Sequence, residues 1–457
     1  MLAFGEKGWF GVISNEIGFE TMSIVAQAVA DYLNDTSPSG PVVLGYDTRF
    51  LSREYAWIIQ RVLTGNQIQV LLHKKPVPAA FISLSVKIYQ ARLGIMVTGE
   101  DRPARYSGLS FWLPEGSIIT PGWMDALYQY LYRRYPRSSE DSRHLLQYID
   151  VFPEYKNHLE NFLDLDTIRR HDPYIASDSF FGSVGTYMQD LMKRWKIRGI
   201  SIRTKPNPCF MDMVPQPNER NMNPVSKLVS QKNADLGQFF SGDGSSIGAV
   251  SPMGWIIPGV WISAVILDEW LKYNKLEVYT EIFTPNAAFS VLSHHGLKAL
   301  PLNLLTEKNS GINQAVIWDR YGLVIGPFLP QRDGILQSLL LLQILCREEM
   351  DWAALARRIK TLSGDRMQEH KSIQLDAEIW DKKEKELIAK GEDIVSEKII
   401  QWLEEGNNRK LCFQDGSWLG FHYNPEENCL FVYWDFDLKK GQKVENIMSS
   451  IITWLTE

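Results

Sequence analysis

Only four of the 457 residues are cysteine. Cys209, Cys346, Cys412 and Cys429 are scattered, without the close spacing of metal ligands or of a disulfide framework. That usage excludes a zinc knuckle and a cross-linked secreted scaffold, and it suits a reducing compartment. The chain also lacks a basic excess: 48 Lys and Arg stand against 54 Asp and Glu, a formal net charge of -6. A nucleic-acid surface needs a concentrated cationic footprint, so nucleic acid is not expected as a partner. The local pairs Arg133-Arg134 and Arg169-Arg170 read as solvated faces. Long apolar runs are missing too. The longest, Trp255 to Leu267, is short and carries Pro258, so no membrane span is expected. The opening residues, MLAFGEKGWFGV, have neither the basic flank nor the apolar run of a secretory signal. These absences together lead to the expectation of a cytoplasmic protein.

What is present is an ordinary globular composition, 45% hydrophobic and 22% charged, at a length that predicts three or four domains. "FETMSIVAQAVADYLND" (Phe19–Asp35) repeats apolar residues at three- and four-residue spacing and reads as a helix. It is followed by the strand-like "PVVLGYDTR", the helical "REYAWIIQRVLTGN", the strand "IQVLLH", the helix "PAAFISLSVKIYQ" and the strand "LGIMVT". Strands alternating with helices of this length predict βαβ units and a sheet covered on both faces. The rhythm returns from Tyr174 and again from Trp255. After about residue 365 it gives way to a charged helix, "DKKEKELIAKGEDIVSEKIIQWLEEG", and the hairpin-like "KLCFQDGSWLGFHY" and "CLFVYWDF". The expected fold class is α/β: three tandem α/β/α domains with mixed sheets, at 1–145, 146–253 and 254–365, and a smaller α+β domain at 366–457. Fifteen tryptophans is a high count. Most are expected in the core, and any surplus on the surface would mark a partner face.

Seven segments, in order, resemble the α-D-phosphohexomutases, the phosphoglucomutase and phosphomannomutase superfamily. They are "FGEKGWFGVI", "VVLGYDTRFLS", "PVPAAF", "GIMVTGEDRPARYSG", "NADLGQFFSGDGSSIGAV", "LPQRDGILQSLLLLQIL" and "DGSWLGF". The resemblance implies four domains around a central cleft and a reaction with four parts. These are a phosphorylated serine, three aspartates on one loop holding Mg²⁺, a glutamate-rich sugar loop, and a loop of Arg, Ser, Gly and Thr for the non-reacting phosphate.

Each part departs from that pattern here. The serine loop of active members reads Thr, small residue, Ser, His, Asn, Pro, whereas this chain has Thr98, Gly99, Glu100, Asp101, Arg102 and Pro103. A carboxylate forms no stable phosphoserine, although its charge partly mimics one. The metal loop, Asp-Gly-Asp-Ala-Asp-Arg in the family, is Ser241, Gly242, Asp243, Gly244, Ser245 and Ser246, so Asp243 is the one remaining carboxylate. The sugar loop carries Trp318, Asp319, Arg320, Tyr321 and Gly322, and the phosphate loop His422, Tyr423, Asn424, Pro425, Glu426, Glu427 and Asn428. In the first loop the family's arginine is Phe10, next to Lys7, Gly8, Trp9 and Gly11.

These departures lead to the expectation of a catalytically inactive phosphohexomutase-like protein without a cofactor, a structural, regulatory or assembly partner of another protein. A non-catalytic sensor of a sugar or sugar phosphate is the alternative, with Lys7, Arg49, Arg102, Trp318, Asp319, Tyr321 and His422 as candidate contacts. A third reading is an enzyme of altered mechanism using Glu100 and Asp101 as an acid and base pair.

Overall fold

The computed structural model describes residues 8–36, 39–119, 121–138, 141–307, 311–364, 366–425, 428–437, 439 and 441–456. Lys7, Glu426 and Glu427 lie outside the described residues.

Four sheets follow one another along the chain, three in α/β layers and one antiparallel, matching the α/β expectation. The first has six strands in the order Gly8–Val12, Tyr106–Trp112, Leu93–Val97, Val42–Tyr46, Val70–His73 and Leu146–Ile149. The strands Leu93–Val97, Val42–Tyr46 and Val70–His73 pair in parallel and are buried along their length, which is why they read as continuous apolar runs and not as alternating ones, while Tyr106–Trp112 runs antiparallel to both its neighbours. The strand Leu146–Ile149, just past the expected boundary at 145, completes this sheet. The second sheet runs Ile256–Ile257, Ile247–Val250, Leu236–Phe240, Tyr174–Asp178 and Arg198–Ile202, and the third runs Leu300–Pro301, Val278–Thr280, Val316–Asp319 and Gly322–Ile325.

The first three units share one continuous core. Phe81 from the first, Tyr155, Tyr187 and Leu236 around the second, and Trp318, Ile335 and Leu339 from the third belong to a single buried cluster. Helix ends carry local signals that the sequence supplies. Asp333 accepts the Leu336 amide at 3.0 Å to cap the apolar helix Gly334–Arg347, and Asn218 accepts the Asn221 amide at 2.9 Å to cap Glu219–Lys232. Asp333 also accepts the Tyr155 hydroxyl at 2.7 Å, so a capping residue ties the third unit to the helix Phe152–Phe162.

The C-terminal unit is an antiparallel sheet in the order Arg366–Gln374, Cys429–Asp437, Trp418–Asn424, Asn408–Phe413 and Ile399–Glu405, packed against the helices Ala377–Val395 and Gly441–Thr456. Here one expectation is corrected. The charged helix stops at Val395, Ser396 follows with φ 51°, and "IIQWLEE" is a strand. The two residues Gly406 and Asn407 close a hairpin in which Trp402 faces Leu411, and Gly406 supplies the positive φ of 55°. A β-branched start and a two-residue Gly-Asn turn are hairpin signals, and they outweigh the helical propensity of the flanking Lys and Glu.

Candidate functional site where four units meet

The loops expected to carry the nucleophile, the metal and the sugar converge around Arg332, and contacts between their units are explicit. The Ala79 amide donates to the Asp243 carbonyl at 3.1 Å, and the Gly334 amide to the Gly244 carbonyl at 2.9 Å. Trp112 Nε1 donates to Gln331 Oε1 at 3.0 Å, and Gln216 Nε2 to the Asp101 carbonyl at 3.0 Å. The Tyr321 and Tyr433 hydroxyls lie 3.4 Å apart across the junction of the third and fourth units.

The loop after the strand Leu93–Val97 is shaped by Arg49. The buried guanidinium donates to the carbonyls of Pro103 (2.7 Å), Tyr106 (3.1 Å), Glu100 (2.8 Å) and Arg102 (2.7 Å), and its Nε pairs with Asp47 Oδ2 at 3.1 Å. Asp47 is fixed in turn by the Ser52 hydroxyl at 2.6 Å. Arg49, a candidate ligand contact from sequence, thus spends its donors on the loop. A Cβ at Gly99 would stand 2.6 Å from Arg49 Cζ, so this position has no room for a side chain. Glu100 follows with φ 51°, a left-handed conformation that the surrounding bonds hold in place.

The Glu100 carboxylate does not project as an unengaged acid. Oε1 accepts the Ser110 hydroxyl at 2.8 Å and Oε2 lies 3.4 Å from Arg102 Nη1. Arg102 Cζ in turn sits 3.9 Å from the centroid of the Phe10 ring. A cation therefore lies against the first loop from position 102, stacked on the Phe10 ring. Asp101, between them, has no hydrogen bond to its carboxylate from any described residue.

Asp243 is buried and serves its own turn. Its Oδ1 accepts the Ser241 hydroxyl at 2.8 Å, the Ser245 amide at 3.0 Å and the Ser245 hydroxyl at 2.9 Å. Mg²⁺ asks for several hard oxygens in near-octahedral order. One carboxylate with an oxygen already accepting three hydrogen bonds, flanked by two serines, is a donor set that does not fit the ion. Among the described residues no three His, Cys, Asp or Glu side chains group as metal ligands.

The sugar-loop candidates separate. Trp318 is fully buried in the common core, and its carbonyl accepts the Thr284 hydroxyl at 2.6 Å. Asp319 Oδ1 accepts the amides of Tyr321 (2.8 Å) and Gly322 (2.9 Å), closing the turn. Arg320 is held by Glu281 at 2.7 Å and lies over the rings of Phe283 (4.8 Å) and Tyr433 (5.2 Å). Tyr321 alone keeps its ring partly open, at 38% exposure. His422 sits on the fourth unit, its Nδ1 2.8 Å from Asn408 Oδ1. Trp418, Gly420 and His422 alternate onto one sheet face, the one that meets Phe283 of the third unit.

That meeting is a buried junction of Phe283, Trp418 and Tyr433. Lys410 is sealed into it, with Nζ donating to the Ile282 carbonyl at 2.7 Å and lying 4.2 Å from the Trp418 ring centroid. Burial pushes its ammonium down to about 8. Asn286 adds two bonds across the junction, its amide to Asp435 Oδ2 at 2.8 Å and its side chain to the Gly416 carbonyl at 2.7 Å.

Arg332 was not singled out from sequence, although it stands inside the quoted "LPQRDG". Its Nε is 3.8 Å from Asp319 Oδ2, its Cζ 4.9 Å from the Tyr321 ring centroid, and its guanidinium donates no hydrogen bond to a described residue. Burial alone would lower it, but the carboxylates of Asp319, Asp243, Glu100 and Asp101 outweigh that effect and hold it above its ordinary value. Those acids come from three of the units, so Arg332 marks the point where they face one another. The available signal was a cation immediately before a helix-capping aspartate.

A fold of four such units around one site, three with mixed sheets and the last with an antiparallel one, is that of a known family. The family models for phosphoglucomutase/phosphomannomutase, alpha/beta/alpha domains I and II, match residues 1–135 and 153–254. The chain belongs to the phosphoglucomutase/phosphomannomutase family, within the α-D-phosphohexomutase superfamily. It is 22% identical over 427 residues, 90% of each chain, to a phosphoglucomutase/phosphomannomutase of Thermococcus kodakarensis. It is 26% identical over 245 residues to a phosphoglucomutase of Staphylococcus aureus, a match that spans 51% of this chain and 44% of that protein. Among solved structures, one from Thermus thermophilus described as a phosphomannomutase superposes with a TM-score of 0.78 at 21% identity, covering 97% of this chain and 99% of the other. Parafusin from Paramecium, in an open form, superposes with a TM-score of 0.77 at 15% identity, covering 94% and 89%. Among the described residues no helix is long and apolar enough to cross a membrane.

Proposed function

We propose that this chain is a catalytically inactive phosphohexomutase-fold protein that works without a bound metal as a structural, regulatory or assembly partner of another protein. The observation that carries the reading is the state of Glu100. At the place where active relatives are expected to carry the nucleophile stands a carboxylate already engaged by Ser110 and Arg102. Asp243, whose Oδ1 is spent on Ser241 and Ser245, supports it from the metal side. Phosphoryl transfer depends on positioning and charge stabilisation by such groups, and the groups present are turned to holding their own loops. The test is interconversion of glucose 1-phosphate and glucose 6-phosphate with Mg²⁺ and a glucose 1,6-bisphosphate primer. The expected result is turnover indistinguishable from a blank, in the native chain and in Glu100→Ser alike. Turnover that scales with protein and is abolished by EDTA would overturn the reading.

A second reading, non-catalytic binding of a small anionic ligand such as a sugar phosphate, is favoured by Arg332 and Tyr321. A guanidinium with no hydrogen bond to a described residue, beside a partly open aromatic ring, is the pairing that recognises an anion attached to an apolar face. Calorimetry against sugars and sugar phosphates checks it: saturable binding lost in Arg332→Met supports it, and silence across the panel removes it.

A further inference from the structure

The sheet of the fourth unit ends on the strand Arg366–Gln374, nine residues paired along their length with Cys429–Asp437 on one side and with no described strand on the other. Such an edge leaves a row of backbone amides and carbonyls open to pairing with another chain, and native proteins commonly blunt it with charge. The charges at its middle are Glu369 and Lys371. Both are exposed, and neither makes a hydrogen bond or ion pair to a described residue. Their neighbours on the inner side are Trp434 and Val432, which belong to the core of the C-terminal unit and offer no countercharge. His370, between them, turns to the opposite face, where its ring stacks on Tyr433 at 5.6 Å.

The order of these charges says what pairs with the edge. A guard of one sign repels every copy of itself, whereas an acid and a base placed symmetrically about His370 are complementary to the same strand run backwards. We propose that this edge is the interface of a two-fold homodimer, in which Arg366–Gln374 pairs antiparallel with the same strand of a second copy. The axis passes through His370, perpendicular to the sheet. Glu369 then faces the partner's Lys371, Lys371 faces the partner's Glu369, and His370 meets the partner's His370 on the axis. The two five-stranded sheets become one continuous sheet. Other arrangements fail on the same two charges or on the pleat. Moving the axis to Glu369 sets acid on acid, and moving it to Lys371 sets base on base. Placing it between residues brings the helix-packed face of one copy beside the opposite face of the other. A parallel pairing in register aligns like charges throughout. This inference stands apart from the reading of the cleft and survives its failure.

Sedimentation velocity on the full chain tests it, over a range of roughly 1 to 300 µM. The native protein is expected to pass from monomer to dimer within that range. Glu369→Lys alone and Lys371→Glu alone each turn two attractive contacts into two repulsive ones and are expected to weaken the dimer by at least about tenfold. The double variant Glu369→Lys with Lys371→Glu restores both contacts and is expected to return within about threefold of native. A disulfide reads the axis directly. With Cys209→Ser removing the exposed native thiol, His370→Cys is expected to cross-link to its own copy under mild oxidation, since directly opposed antiparallel positions lie within disulfide reach. Gln374→Cys, whose opposite number is Arg366, is expected not to cross-link. A protein that stays monomeric across the range overturns the proposal, as do single reversals that leave the dimer unchanged or a double reversal that folds but restores nothing. A dimer in which Gln374→Cys cross-links and His370→Cys does not overturns it too, as does a monomer whose edge takes up a strand of a different protein.

Discussion

Two arginines at the centre of the molecule carry the same charge into similar surroundings and are treated in opposite ways. Arg49 gives its donors to four backbone carbonyls and to Asp47, and is buried. Arg332 lies among Asp319, Asp243, Glu100 and Asp101 without a hydrogen bond to a described residue. A guanidinium whose planar fork is satisfied by the chain is part of the scaffold, because no ligand can compete for donors already used. A guanidinium held by a loose ion pair and a ring face, with no hydrogen bond to a described residue, keeps its donors available. The same contrast separates framework from loops across the protein. The loop around Gly99 is fixed by Arg49 and Asp47, while Glu100 and Asp243 accept hydrogen bonds from side chains and amides near them.

The comparison breaks most visibly if Arg49 is removed. Arg49→Met leaves Asp47 buried with its charge uncompensated and strands four carbonyls, and a loss of about 3–5 kcal/mol is expected in chemical denaturation. A loss below about 1 kcal/mol would mean that the loop does not depend on this clamp. The junction of the third and fourth units offers a second, pH-resolved test. Burial pushes Lys410 down to about 8, below the ordinary lysine value of 10.5. Between those two values the unfolded chain holds the proton and the folded one does not. Stability should therefore rise with pH across that window, by up to about 3 kcal/mol, and this part of the rise should be absent in Lys410→Met. Identical pH profiles for the two proteins would show that the ammonium is not sealed into the junction. The smallest effect is expected at Arg332. Arg332→Met breaks no hydrogen bond to a described residue, so stability should stay within about 1 kcal/mol of native. A loss as large as that of Arg49→Met would erase the distinction between the two.

Much of the architecture was legible in advance for reasons that can be named. The buried parallel strands "VVLGY" and "LGIMV" announce themselves as short apolar runs between helical segments, since a strand covered on both faces has no polar side to show. The framework pair Asp47 and Arg49 stands in a motif that could be matched as written. The C-terminal unit was read less well. "IIQWLEE" follows a run of Lys and Glu with strong helical propensity, and its strand state depends on Asn408–Phe413 lying beside it. The strand "RMQEHKSIQ" escaped notice because a charged edge strand lacks a clean apolar alternation. At the site, position alone could not say that Arg49 faces inward, that Trp318 fills the core, or that Arg102 stacks on the Phe10 ring.

By itself the sequence determined the order of units, the family and the identity of every residue standing where chemistry is expected. Those are one-dimensional facts, carried by periodicity, turn residues and motif order. The tertiary structure decided which charges are spent and which are kept. A carboxylate or guanidinium acts through its partners, and the partners of Glu100, Asp243 and Arg332 come from the far ends of loops or from other units. Hydrogen bonds reach about 3 Å whatever the separation along the chain, so only the folded arrangement tells an engaged group from an available one.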